Sequence, residues 1–274
     1  METSIKTTLK EEKETLFICL RAKALDNRNK NSVLHDTGAE KILKSVDYDF
    51  DKFKAESKFD NDMPNVWRAK HFDDWIRDFI AANPDAVVLY LGCGLDTRIK
   101  RINPPETVSW YDLDYPEVIE LRKNFFRETA NYRMIASSVT ADGWIEEIPY
   151  NRPTMIVAEG LLMYLAPEDV ERLFIRLTIH FDHGQMVFDV LNKWIVQRSA
   201  GQMKKTTGAV HKWGVDDLQE INLLSDKLEI LDEIPVVKSQ YVKQLPFDVF
   251  KVFCRTAALF PFCRQVFRFM RYEF

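Results

Sequence analysis

The apolar positions of this chain keep a helical spacing as far as residue 83, then switch to short continuous runs. Residues 4–25 read as a helix, with Leu16, Cys19, Leu20 and Leu25 at helical intervals. The stretch that follows, DNRNKNSVLHDTGAEKILKSVDYDF, is loop-like and then predicts a short helix after the Asp36 and Thr37 start signal. Residues 64–82, PNVWRAKHFDDWIRDFIAA, put Trp67, Phe72, Trp75, Ile76 and Phe79 on one face, the strongest amphipathic pattern in the chain. Asn83 and Pro84 end it.

From there, apolar runs at 86–91, 107–112, 132–136, 154–158 and 185–190 alternate with helix-like segments. The first run is apolar throughout, as a parallel strand covered on both faces must be. Two further strand candidates lie at 228–237 and 265–274; the last alternates and suits an antiparallel strand at or near a sheet edge. The pattern predicts an α/β fold: an open, mostly parallel, seven-stranded Rossmann-like sheet with helices on both faces. Residues 1–83 are expected to form an N-terminal helical cap laid across a core of residues 84–274, with the cap contributing to the ligand site.

Composition narrows the field modestly. Of 274 residues, 46% are hydrophobic and 29% charged, which excludes wholesale disorder. A net charge of −4 gives no global reason to expect nucleic acid or an anionic membrane. The first residues, METSIKTTLKEEKETLF, are polar, with no apolar core for a signal peptide, and no window approaches the ~18 apolar residues of a membrane span. Four cysteines, Cys19, Cys93, Cys254 and Cys263, stand at irregular spacings. Free thiols and a cytoplasmic location are expected.

The candidate chemistry begins after the first strand, in LYLGCGLDTR. Gly92 and Gly94 let the backbone turn sharply and approach a ligand closely, although a plain tight turn would use them too. In an open α/β sheet, ligands collect at the carboxyl ends of the strands. Asp114 lies roughly 20 residues further on, after the second strand, where a carboxylate can accept both hydroxyls of an adenosine ribose. Alternation sends Asp112 elsewhere, and an N-cap before PEVIELRKNF is the plain alternative for either acid.

A dinucleotide fingerprint would need a third glycine where Thr97 stands, Pro104 and Pro105 leave room only for a very short helix, and no GK[ST] phosphate loop occurs. An adenosine ligand without phosphate fits better, and S-adenosylmethionine is the common one. Its carboxylate calls for an arginine, with Arg68 and Arg21 as candidates and solvated helix faces as their alternative. Its ammonium calls for an acid. Glu159, at the end of the apolar run TMIVA, is costly there without a partner.

Four ordered segments, VVLYLGCGLDTR, WYDLDYPEVIELRK, IASSVTADGW and VAEGLLMYL, resemble the leucine carboxyl methyltransferase superfamily, in particular its tetracenomycin-type polyketide O-methyltransferase branch. RAK, HDTGAEKIL and LPFDVFKVF resemble that branch as well. The resemblance runs from about residue 20 to the end of the sequence. It implies a methyltransferase sheet with a helical cap, S-adenosylmethionine as cofactor, Gly92 as the loop glycine, Asp114 on the ribose, Glu159 at a strand end and Arg68 on the carboxylate. It matches the basic residue of the first motif to Arg21. Where the family often has an Asp-Leu pair beside the adenine, this sequence has Ser138 and Val139. Tyr164 falls where the family has an acceptor-site residue, and core packing is its plain alternative.

The expected activity is therefore O-methylation of a carboxylate or phenolic hydroxyl on a small, polyketide-like molecule. A protein C-terminal carboxyl methyltransferase and a catalytically silent cofactor-binding module are the rivals. A small-molecule acceptor is expected as partner, without nucleic acid or membrane, and a homo-oligomer stays open. No metal is expected, because His180 and His183 lack a third ligand. Cys93 reads as a small residue in a tight turn. The aromatic, basic segment FKVFCRTAALFPFCRQVFRFMRYEF is expected to bury its aromatics and leave its arginines in solvent.

Overall fold

The computed structural model describes residues 5–53, 63–245 and 249–274. The first helix, α1, spans Leu16–Asn27, later than its spacing predicts. Upstream, Ile5–Lys6 is extended, paired in parallel with Val46–Asp47, and Glu11–Thr15 forms a 3-10 turn. Glu11 has φ 57°, which a right-handed helix cannot pass through. Residue 4 lies outside the described residues. Helix α2 (Thr37–Ser45) starts where its signal predicts, with Asp36 accepting from the Ala39 amide at 2.8 Å. Helix α3 (Met63–Ala82) buries Trp67, Phe72, Trp75, Ile76 and Phe79, the face read from the sequence.

The sheet strands are β1 (Val87–Leu91), β2 (Ser109–Asp114), β3 (Tyr132–Ala136), β4 (Thr154–Ala158), β5 (Gly184–Leu191), β6 (Glu229–Pro235) and β7 (Phe267–Glu273). Their order is β3-β2-β1-β4-β5-β7-β6. The first five run parallel, and β7 is antiparallel to both β5 and β6. Alternate side chains of β1 feed different cores. Val88 and Tyr90 join a cluster with Phe17 of α1 and Trp67 and Phe72 of α3, while Leu89 and Leu91 join Phe174 and Leu177 of α6 (Pro167–His180) on the other face. A strand covered twice has no position for a polar side chain, which explains its continuous apolar run.

Between strands lie α4 (Arg98–Ile102), α5 (Pro116–Arg122), α7 (Lys193–Thr206) and α8 (Gln219–Asn222); α9 (Val249–Ala257) and α10 (Pro261–Gln265) interrupt the path from β6 to β7. That interruption corrects the expectation that the tail aromatics are core. Cys254 and Ala257 take the inward positions of α9, while Phe253, Leu259, Phe260 and Phe262 are exposed. Of the tail, β7 supplies the core, with Phe269, Met270 and Tyr272 fully buried. β7 sits one strand in from the edge, and β6, rich in exposed acids, forms the edge itself. Among the described residues no helix is long and apolar enough to cross a membrane.

Candidate functional site

Strand order reverses at β1, whose neighbours β2 and β4 lead away in opposite directions. A crevice opens beyond such a point, at the carboxyl ends of the strands. Here it is a cleft of about 210 Å³ walled by the β1 loop, the ends of β2 and β4, and helix α1 as its roof.

The loop after β1 is held tightly by its own hydrogen bonds. The amides of Gly92 and Cys93 donate to the Leu113 carbonyl at 2.8 and 3.2 Å, and the Gly94 amide donates to Asp114 Oδ2 at 2.7 Å. Gly92 has φ 65°, and a Cβ there would meet Leu161 at 3.1 Å, so the turn requires glycine. Below the loop, Arg122 donates to the Gly94 and Asp96 carbonyls at 3.0 and 2.7 Å while pairing with fully buried Asp112. Asp112 also accepts from Trp110 Nε1 and the Tyr132 hydroxyl. It is thus an internal clamp, as alternation predicts. Asp114 faces the cleft. Its oxygens accept the Gly94 and Tyr115 amides, and burial pushes its pKa up to about 6 against the pull of those two N–H groups.

Charge converges on the floor from both halves of the chain. Lys23 of α1 donates to Asp96 at 2.8 Å and to Glu159 at 3.1 Å, and all three line the cleft. Glu159 is also paired with Arg98, and Arg68 Nη2 lies 3.4 Å from it. Burial alone would push Glu159 up, but Lys23, Arg98 and Arg68 hold it down at about 2. The same logic keeps Asp96 well below the usual carboxylate range, with Arg101, Lys23 and Arg98 outweighing burial. Arg101 reaches Asp36 and Asp96 at 2.6 Å each and Asp73 at 2.8 Å. Ion pairs buried this completely survive only when fully partnered, and removing one member costs about 3–5 kcal/mol.

The cleft wall brings together Gly92, Gly94, Asp114, Glu159 and Tyr164 from the residues singled out in the sequence. Arg21, Arg68, Ser138 and Val139 do not form its wall. Arg68 lies just behind it. Its Nη1 is 2.8 Å from Asp189, and its Nη2 would stand 3.2 Å from a Cβ on Gly160, a cleft residue with φ 64°. Ser138 bonds Thr140, a wall residue, at 2.8 Å, and the Val139 carbonyl accepts from Arg176 and Trp144. Cys93 lies on the wall, but burial pushes its thiol well above the ordinary value, which leaves it un-ionised.

Sequence reasoning missed Lys23, although the signal was present. Leu16, Cys19, Leu20 and Lys23 follow at i, i+3, i+4 and i+7 and share the cleft-facing stripe, whereas Arg21 points off it. It also missed Asp96 and Arg98, whose partners are far away in the chain. At the mouth, Tyr164 packs its ring 5.0 Å from that of His211, and His211 Nδ1 is 2.7 Å from Ser199 Oγ. Burial lowers the pKa of His211, which keeps the imidazole neutral at pH 7, and raises that of Tyr164.

A model of the family described as leucine carboxyl methyltransferase matches residues 16–178. The chain is 39% identical over 231 residues to the tetracenomycin polyketide synthesis O-methyltransferase TcmP of Streptomyces glaucescens, covering 84% of each chain. It is 29% identical over 237 residues to the S-adenosyl-L-methionine-dependent methyltransferase dpfgK of Gibberella zeae, covering 79% of each. A solved structure from Thermobifida fusca, described as a methyltransferase, superposes with a TM-score of 0.61 at 16% identity, over 96% of this chain and 94% of that one. At that identity the likeness is one of fold.

Proposed function

The chain belongs to the leucine carboxyl methyltransferase family and is an S-adenosylmethionine-dependent methyltransferase; on that premise we propose that it methylates an oxygen, a carboxylate or a phenolic hydroxyl, of a small, polyketide-like molecule. The likeness to TcmP supports the acceptor class. One observation carries the reading of the site. The loop N–H groups that would cradle a phosphate are spent on Leu113 and Asp114, while the carboxylates of Asp96, Asp114 and Glu159 face the cleft. A loop with those donors spent offers a pyrophosphate little, and the carboxylates suit ribose hydroxyls and an ammonium.

In this proposal Asp114 takes the ribose hydroxyls, and Gly92 and Gly94 let the ligand lie flat against the loop. Glu159 takes the ammonium. Lys23 and Arg68, which both approach Glu159 Oε1, take the carboxylate, with Lys23 in the role expected of Arg21. The turn at Ser138 and Val139, through Thr140, borders the adenine. The cofactor supplies an already activated methyl group, so the chain's work is alignment and exclusion of water. Tyr164 orients the acceptor oxygen by hydrogen bond. Where that oxygen is a hydroxyl, neutral His211 behind Tyr164 is the base for its proton; a carboxylate is already ionised at neutral pH and needs none.

Incubation of a cell extract with methyl-labelled cofactor and the purified protein, followed by mass identification of the labelled product, tests the proposal. An O-methyl ether or ester of a small molecule is expected. Label in a polypeptide would assign a protein carboxyl methyltransferase instead, and cofactor binding with no labelled product would assign a silent module.

A further inference from the structure

Helices α7 and α10 touch beyond the carboxyl end of β5, and α9 runs into α10 through residues 258–260. Leu191 at that end pairs with Phe267 of β7. Trp194 and Phe262, flanking the pair in sequence, touch edge to face with centroids 5.5 Å apart. Around them the surface is unusually apolar: Leu259 is 72% exposed, Phe253 60% and Phe260 56%. Scattered exposed apolar residues are ordinary, but a group of large ones on a single corner marks a contact surface.

The segments that build this corner are richer in cations than the whole chain. Residues 193–215 and 249–265 hold eight lysines and arginines and not one aspartate or glutamate, and Lys193 pairs with Glu220 from outside them. Arg255 is exposed on α9, and Arg198 lies over the Trp194 ring at 5.3 Å. Trp, Phe and Leu side chains beside a predominantly basic surface are the combination that seats a protein in the headgroup layer of an anionic bilayer. A two-fold pairing of copies through the same corner would set these cations against themselves, which disfavours a second copy as its occupant.

We propose that the α7–α9–α10 corner docks on an anionic lipid surface. The corner lies at the carboxyl end of the parallel strands, the end at which the cleft opens. Docking therefore turns that end of the sheet toward the bilayer.

Co-sedimentation with phosphatidylcholine vesicles, and with vesicles about one third phosphatidylserine, tests this directly. The protein should partition onto the anionic vesicles at least tenfold more strongly than onto the neutral ones, and half-molar salt should release it. Arg255→Glu should lower that partition about tenfold or more, as should Phe260→Ser combined with Phe262→Ser. Adenosylhomocysteine affinity should be unchanged in both variants, which shows the fold intact; should the double variant fail this control, Leu259→Ser replaces it. Equal partition onto both vesicles, no partition onto either, tighter binding to single-stranded RNA, or a dimer that these substitutions dissociate without any lipid binding would each overturn the proposal.

Discussion

Replacing Asp114 by asparagine tests the ribose assignment with a readout that general damage to the fold would not mimic. In the folded protein both carboxylate oxygens are used, Oδ2 by the Gly94 amide at 2.7 Å and Oδ1 by the Tyr115 amide at 2.8 Å. An asparagine keeps one oxygen and turns an NH2 toward one of those N–H groups. One buried amide then loses its acceptor, and the ligand meets a neutral group with fewer lone pairs. Losing hydrogen bonds to a charged acceptor costs about 1.5–3 kcal/mol, or roughly 10- to 100-fold in affinity.

The pH dependence sharpens the test. Asp114 is raised from 3.8 to about 6, chiefly by burial. Because the folded value lies above the unfolded one, its contribution to stability is fully present below 3.8 and is lost as pH rises through about 6, a change of roughly 3 kcal/mol or less. Ligand hydroxyls donate to the ionised form, so binding has the opposite sign. Affinity for adenosylhomocysteine should be flat above about pH 7 and weaken by up to tenfold per unit below about 6. Calorimetric titration from about pH 5 to about pH 8 reads the binding effect, and denaturant titration from about pH 3.5 to about pH 7 reads the stability effect. In Asp114→Asn the acid-side fall should vanish and the plateau affinity should drop. An unchanged affinity, or the same acid-side slope in the variant, would refute the assignment.

Lys23→Met should weaken adenosylhomocysteine binding at least tenfold and lower stability by about 3–5 kcal/mol in denaturant titration, because Asp96 and Glu159 lose a shared cation; Arg21→Met, off the cleft wall, should weaken binding much less. Gly92→Ala forces a side chain into φ 65° against Leu161 and should destabilise by about 1–3 kcal/mol, read as a lowered urea midpoint. Tyr164→Phe should reduce kcat while leaving cofactor affinity within about twofold, measured by steady-state kinetics and calorimetry. His211→Asn should remove the acid-side limb of the kcat profile if the acceptor is a hydroxyl and leave it in place if the acceptor is a carboxylate.

What the sequence revealed follows from what each pattern must satisfy locally. Strands β1, β3 and β4 were legible to within a residue because burial on one or both faces forces an apolar run. β2 was read as 107–112 but ends at Asp114, since its two aspartates look like the end of a strand when one is in fact buried against Arg122. The start of α1 was misread because the backbone reversal at Glu11 leaves no mark in an apolar pattern. The cleft positions of Asp114 and Glu159 were legible because each acid ends an apolar run at the carboxyl end of a strand. Asp73, Arg98 and Arg101 were not. A charge on a helix reads as solvated until the fold shows that its partner comes from far along the chain.

Those hidden charges decide what the cap is for. Lys23, Asp36, Arg68 and Asp73 come from residues before 84, and their partners Asp96, Arg98, Arg101, Glu159 and Asp189 come after it. Each of these ion pairs crosses the point where the sequence changes grammar. A core expressed alone would leave Glu159 and Asp96 with Arg98 and Arg101 but without Lys23, and would expose Asp189. The first two would lose the electrostatic definition of the cleft floor, and Asp189 would lose Arg68. Phe17, Trp67 and Phe72 share one apolar cluster with Val88 and Tyr90, so removing the cap would also strip one face of the sheet. The change near residue 83 therefore separates two kinds of sequence pattern, while the site takes charges from both.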